Sequence, residues 1–182
     1  MDNELADSIE IFREIGETYP GMFSIAKKTP TDQILVYVNK HFTAKTKYSS
    51  EEVLGRNCRF LQQHSNIQPL FTRVPNDDLK KSVENGIDIV IDLYNFTKEG
   101  EVFGNRVCML HFGDDIAIGL QNTIEKVQYQ IARPIPHSIM EPFLFALDSY
   151  FSNKPQNMSE SFAEKLVAVN ANILSMGEDP QA

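Results

Sequence analysis

Apolar residues at Leu5, Ile9, Phe12 and Ile15 recur every three or four positions among acidic neighbours. That spacing predicts an amphipathic helix over residues 3–15, broken by Pro20-Gly21. The period then shortens. Residues 22–26 and 34–39 are rich in apolar and β-forming side chains around the turn-like Lys27-Lys28-Thr29-Pro30-Thr31-Asp32, and they read as a β-hairpin. Ser49-Ser50-Glu51-Glu52 is a capping box, with Ser49 as N-cap and Glu52 reaching back, and Gly55 closes the short helix it opens. Another helix is expected over 76–85, with Asn76 as its cap, Asp77 and Asp78 at its start and Gly86 beyond its end.

Three strand-like segments follow, at 87–97, 101–112 and 116–125. Lys98-Glu99-Gly100 and Gly113-Asp114-Asp115 join them with hairpin chemistry. Two strands, short helices and three more strands make an α+β order. After Pro134-Ile135-Pro136 the pattern turns helical again. A second capping box, Ser138-Ile139-Met140-Glu141, leads into a helix over 138–151 with Phe143, Leu144, Leu147 and Phe151 at helical spacing. A polar break over 152–157 precedes a last helix, 160–176, whose stripe is Phe162, Leu166, Val169 and Ile173. These helical stripes have two compatible readings: cover for one face of the sheet, and a dimer interface.

Composition narrows the function classes. A formal net charge of -8 and no basic patch argue against nucleic acid. No run reaches the ~18 apolar residues of a membrane helix, and the acidic start lacks the shape of a signal peptide. Cys58 and Cys108 are too few for a disulfide scaffold, so a reducing, cytoplasmic setting is expected. His41, His64, His111 and His137 are scattered and no substrate-handling acid/base pair emerges. The chain is therefore not expected to be an enzyme or to bind a metal.

Chemistry concentrates in Gly55-Arg56-Asn57-Cys58-Arg59-Phe60-Leu61-Gln62. On a short helix Arg59 and Gln62 share a face, with Cys58 rotated by about 100° from Arg59. One turn can then present a thiol to the flat part of a ligand and a guanidinium fork to an anionic tail. Strand parity adds three amides. Asn95 shares a face with Ile91 and Leu93, Asn105 with Val107 and Met109, and Gln121 with Ala117 and Gly119, while Cys108 points the opposite way. A buried amide costs about 1–3 kcal/mol unless hydrogen-bonded, and one planar ligand with alternating acceptors and an N–H would satisfy all three.

The octapeptide matches, at every defined position, the signature of the LOV (light, oxygen, voltage) photoreceptor domains of the PAS superfamily, and residues 93–98, 102–105 and 118–121 resemble the flavin-binding LOV strands. This resemblance implies a PAS/LOV fold: a five-stranded antiparallel sheet with short helices on one face. It implies FMN as chromophore, with FAD the alternative, and a reversible blue-light adduct between Cys58 and flavin carbon C4a. Asn95 and Asn105 would bond the pyrimidine edge, and Gln121 would relay the signal from the ring nitrogen protonated on adduct formation. Asn57 and Gln62 would contact the ribityl chain and Arg59 the phosphate. Lys80 stands where a second phosphate-binding Arg is usual, and Arg73 is placed for a phosphate or an adenine end. Gly104, Val107 and Asn122 depart from the common Trp, Phe and Asp. The implied division is an N-terminal helical cap (1–19), the sensor (20–126) and a C-terminal helical extension (127–182). The chain resembles bacterial short LOV photoreceptors, so a homodimer with light-dependent association, or a separate effector, is expected. A flavin redox sensor and a light-independent PAS interaction module are the other readings.

Overall fold

The computed structural model describes residues 2–29, 32–63, 84–127, 132–153 and 160–176. Arg73, Lys80 and the expected helix over 76–85, apart from its last residues, lie outside them. Helix α1 (Asp2–Thr18) leads into β1 (Met22–Lys28) and β2 (Gln33–Val38). Short helices α2 (Lys40–Thr46) and α3 (Ser50–Val53) and a 3-10 helix (Cys58–Gln62) come next. Then follow β3 (Ile89–Phe96), β4 (Val102–Phe112), β5 (Ile116–Ile124), a two-residue β6 (Arg133–Pro134), α4 (His137–Asn153) and α5 (Glu160–Ser175).

Among the described residues the sheet runs β2-β1-β5-β4-β3-β6, every pair antiparallel. The expectation of five strands falls short by one, because β6 pairs Pro134 with Ile89 and Arg133 with Val90. Two residues carry no periodicity to detect, and proline in a strand is confined to an edge such as this. Gly100 (φ 88°) and Gly113 (φ 59°) close the two hairpins in the left-handed region that the turns demand.

The sheet divides the molecule in two. Phe23, Ile25, Cys108, Leu110, Ile118 and Leu120 project from one face into a single apolar cluster with Phe12, Ile15 and Tyr19 of the α1 end. Ile139, Phe143 and Leu147 of α4 and Leu166, Val169 and Ile173 of α5 complete that cluster. Each such side chain contributes about 1.5–3 kcal/mol when removed from water. The helical flanks thus cover the sheet, the first of the two readings of their stripes.

Two polar devices hold this layer. Arg106 of β4 is ion-paired with Asp92 of β3 through Nε–Oδ1 (2.7 Å) and Nη2–Oδ2 (3.0 Å), with side chains only 3% and 1% exposed. Its Nη1 also donates to the carbonyls of Ile173 (3.1 Å) and Met176 at the end of α5, where unsatisfied carbonyls gather. Pro142 lies inside α4 and removes the bond that the Ser138 carbonyl would otherwise receive. Asn172 Nδ2 of α5 donates to that carbonyl at 2.7 Å. Ser138 therefore lies within the first turn rather than capping it; the Pro136 carbonyl takes the Ile139 and Met140 N–H groups. The Ser49 capping box forms as expected, the Ser49 N–H donating to Glu52 Oε2 at 2.9 Å.

Candidate functional site: a cavity on the inner face of the sheet

The opposite face of the sheet borders a cavity of about 400 Å³, within the range of small-molecule sites. The segment before the 3-10 helix is fastened to β2: the Leu35 N–H donates to Arg56 O (2.9 Å) and the Gly55 N–H to Leu35 O (2.8 Å). Gly55 adopts φ 80°, which lets the chain leave α3 toward the cavity. Asn57 then caps the 3-10 helix, its Oδ1 accepting the Arg59 N–H at 2.9 Å.

With three residues per turn, positions i and i+3 eclipse, so Arg59 and Gln62 align more closely than on an α-helix. The apolar residues of the motif anchor the turn from behind. Leu61 is 1% exposed in a cluster with Leu35, Phe42, Val53 and Phe103. Phe60 meets Tyr48 edge-on, with centroids 5.1 Å apart, under the Arg56 guanidinium at 4.0 Å. Asn57, Cys58, Arg59 and Gln62 are left to line the cavity. Burial pushes the Cys58 thiol up to about 12, so it is protonated at neutral pH.

Across the cavity, Asn95 of β3, Asn105 of β4 and Gln121 of β5 are 3%, 1% and 2% exposed. They form one chain. Asn105 Nδ2 donates to Asn95 Oδ1 (2.8 Å) and to Gln121 Oε1 (2.9 Å), and Gln121 Nε2 donates to Ser24 Oγ (2.9 Å). Gly119 leaves the space for that last contact: a Cβ there would stand 2.6 Å from Ser24 Oγ. Asn105 Oδ1 is buried with no partner. A buried acceptor in a cavity of this size fits a ligand N–H, which an isoalloxazine pyrimidine edge carries.

The mouth is charged. Asp32 Oδ1 accepts from Asn57 Nδ2 (2.5 Å) and the Gln33 N–H (2.8 Å) and is ion-paired with Arg59. Desolvation opposes ionisation of Asp32, but the Gln33 N–H, the Asn57 amide and the Arg59 guanidinium outweigh it and hold the carboxyl below the usual carboxylate range. Asn57, Cys58, Arg59, Gln62, Asn95, Asn105 and Gln121 are thus brought together at one cavity. Ser24 and Asp32 also line it and were not picked out from sequence; an isolated serine in an otherwise apolar strand was the available signal for the first. Gly104 has a packing reason, since a Cβ would stand 2.6 Å from Ile124 O. Asn122 lies on the helix side, its Nδ2 donating to Tyr19 Oη at 3.3 Å.

A cavity floored by linked amides on an antiparallel sheet, and roofed by a thiol-bearing turn, has the size and lining to enclose a small molecule. A PAS domain family model matches residues 20–123, and the chain belongs to that family. The relatives and solved structures it matches include LOV domains and blue-light proteins. Adagio protein 3 of Arabidopsis thaliana is 36% identical over 110 residues, 56% of this chain and 18% of that protein. Blue-light-activated histidine kinase 2 of Erythrobacter litoralis is 36% identical over 90 residues, 50% of this chain and 25% of that protein. The chain therefore spans a quarter or less of these two relatives. The structure of a fungal LOV domain photoreceptor matches at 28% identity and TM-score 0.51, covering 57% of this chain and 74% of that one. A variant of RsLOV matches at TM-score 0.60 over 97% of this chain and 98% of its own, and at 20% identity this likeness is one of fold. No helix among the described residues is long and apolar enough to cross a membrane.

Proposed function

We propose that this chain is a blue-light sensor that binds FMN in this cavity and stores a photon as a reversible bond to Cys58. The observation that carries the reading is the convergence of the Cys58 thiol and the Asn95–Asn105–Gln121 amide chain on one cavity. Bound flavin supplies a blue-light absorber and, once excited, a ring carbon that accepts a sulfur nucleophile. Because Cys58 is held protonated, the thiol brings both the sulfur and the proton that the neighbouring ring nitrogen gains. Arg59 and Gln62 orient the tail from the same eclipsed edge of the turn.

Gln121 reads the change. Its Oε1 accepts from Asn105 and its Nε2 donates to Ser24. A neighbouring acceptor that becomes a donor requires Gln121 to reverse its amide. The Ser24 hydroxyl serves either orientation, since it both donates and accepts, whereas the Asn105 donor loses an acceptor. An unmade buried bond costs about 1–3 kcal/mol, enough to shift a two-state element severalfold to a hundredfold.

The output runs through the helical layer without substrate turnover, in the cytoplasm. Leu144 and Phe145 of α4 and Val167 and Leu174 of α5 are 49%, 56%, 54% and 43% exposed, which supports a homodimer or a separate effector there as the signalling surface. The test is an absorption spectrum of the purified protein loaded with FMN, dark and after blue illumination. Wild type bleaches and recovers in the dark, while Cys58→Ala stays yellow and does not bleach. Reversible bleaching of Cys58→Ala overturns the role of Cys58; protein that takes up no flavin points instead to a light-independent interaction module.

A further inference from the structure

The mouth of the cavity carries as much negative charge as positive: Lys28 and Arg59 against Asp32 and Glu84 among the described lining residues. Asp32 is the best placed of these. The turn between β1 and β2 fixes it, Thr29 Oγ1 accepting the Asp32 N–H at 2.9 Å and donating to Asp32 O at 2.9 Å. Its Oδ1 is then shared by the Arg59 guanidinium, the Asn57 amide and the Gln33 N–H. Arg59 is the described residue with the fork suited to a terminal phosphate, and a carboxylate already stands against it.

We propose that Asp32 sets how far this pocket distinguishes a phosphorylated flavin from an unphosphorylated one, occupying the guanidinium that the phosphate needs so that riboflavin is held nearly as well as FMN. The assignment rests on the flavin reading above and adds to it the selectivity for the tail. A phosphate drawn to Arg59 must share it with a carboxylate a few ångströms away, and like charges at that separation change a binding constant by about tenfold even in a wet mouth. Riboflavin has no charge there to repel.

The experiment is a titration of the full-length apoprotein with riboflavin and with FMN, followed by flavin fluorescence, for wild type and Asp32→Asn. Asparagine keeps the Oδ1 acceptor for Gln33 and Asn57, removes the charge and turns the second carboxylate oxygen into an amide donor. Wild type is expected to bind FMN no more than about tenfold more tightly than riboflavin. Asp32→Asn is expected to tighten FMN about tenfold while riboflavin stays within about twofold, and added salt should narrow the gain. Riboflavin binding is also the control that the variant is folded. FMN affinity unchanged or weakened in Asp32→Asn, or both flavins moving together, overturns the proposal and leaves the flavin reading standing. Wild type binding neither flavin overturns both.

Discussion

Replacing Arg106 with methionine removes the cation from a fully buried pair that ties the sheet to the last helix. Asp92 would be left 1% exposed without the guanidinium that meets it at 2.7 and 3.0 Å. Breaking such a pair from one side costs about 3–5 kcal/mol, because a buried carboxylate loses the cation that meets both of its oxygens. For a chain of 182 residues each kcal/mol moves the melting temperature by about 2–4 °C, so Arg106→Met should melt about 6–20 °C lower. Replacing both partners, Asp92→Leu with Arg106→Met, removes the stranded charge and should recover part of the loss. What is not recovered is the charge-assisted bonding to the Ile173 and Met176 carbonyls, at about 1.5–3 kcal/mol per bond. Thermal and urea unfolding followed by circular dichroism measure all three proteins. Flavin colour should persist in each, since Arg106 projects away from the cavity. A single variant within about 1 kcal/mol of wild type, or a double variant no more stable than the single, would refute the reasoning.

Gln121→Leu should still bleach in blue light but show a smaller light-driven change in sedimentation; an undiminished change counts against the amide reversal. Cys108→Ala should keep a normal photocycle, because Cys108 lies in the helix-side cluster, and lose only about 1 kcal/mol of stability on urea unfolding. With the Cys58 thiol pushed up to about 12, its protonated form dominates well below that value. The extent of bleaching under saturating light should therefore be flat between about pH 6 and 10, and a midpoint near the ordinary thiol value of about 8.5 would contradict this. Asn172→Ala should cost less than about 1 kcal/mol, because the Ser138 carbonyl it serves is at an exposed edge where water substitutes.

Much of the cavity could be read from the chain because its floor depends on parity alone. Asn95, Asn105 and Gln121 each fall on the face their alternation predicts, and Cys108 on the other. Parity does not say which strands are neighbours. Ser24 and Gln121 meet across 97 positions only because β1 lies beside β5, a choice made by the whole sheet. Asp32 was hidden for a similar reason: turn chemistry marks a bend but not what the bend faces. The start of α4 differs from the expected one by a residue or two because a serine followed by Glu141 looks like a cap wherever it falls, whereas the single Pro136 carbonyl takes both the Ile139 and Met140 N–H groups.

The apolar cluster on the helix side crosses both of the sequence boundaries at residues 19 and 126, with Phe12 before the first and Phe143 and Leu166 after the second. Excising residues 20–126 on their own would strip the lid from Phe23, Ile25, Leu110, Ile118 and Leu120 and leave a greasy wall facing water. Such a fragment would be prone to clump or to borrow a lid from another copy. Anyone grafting this module onto a new output should carry the flanking helices with it.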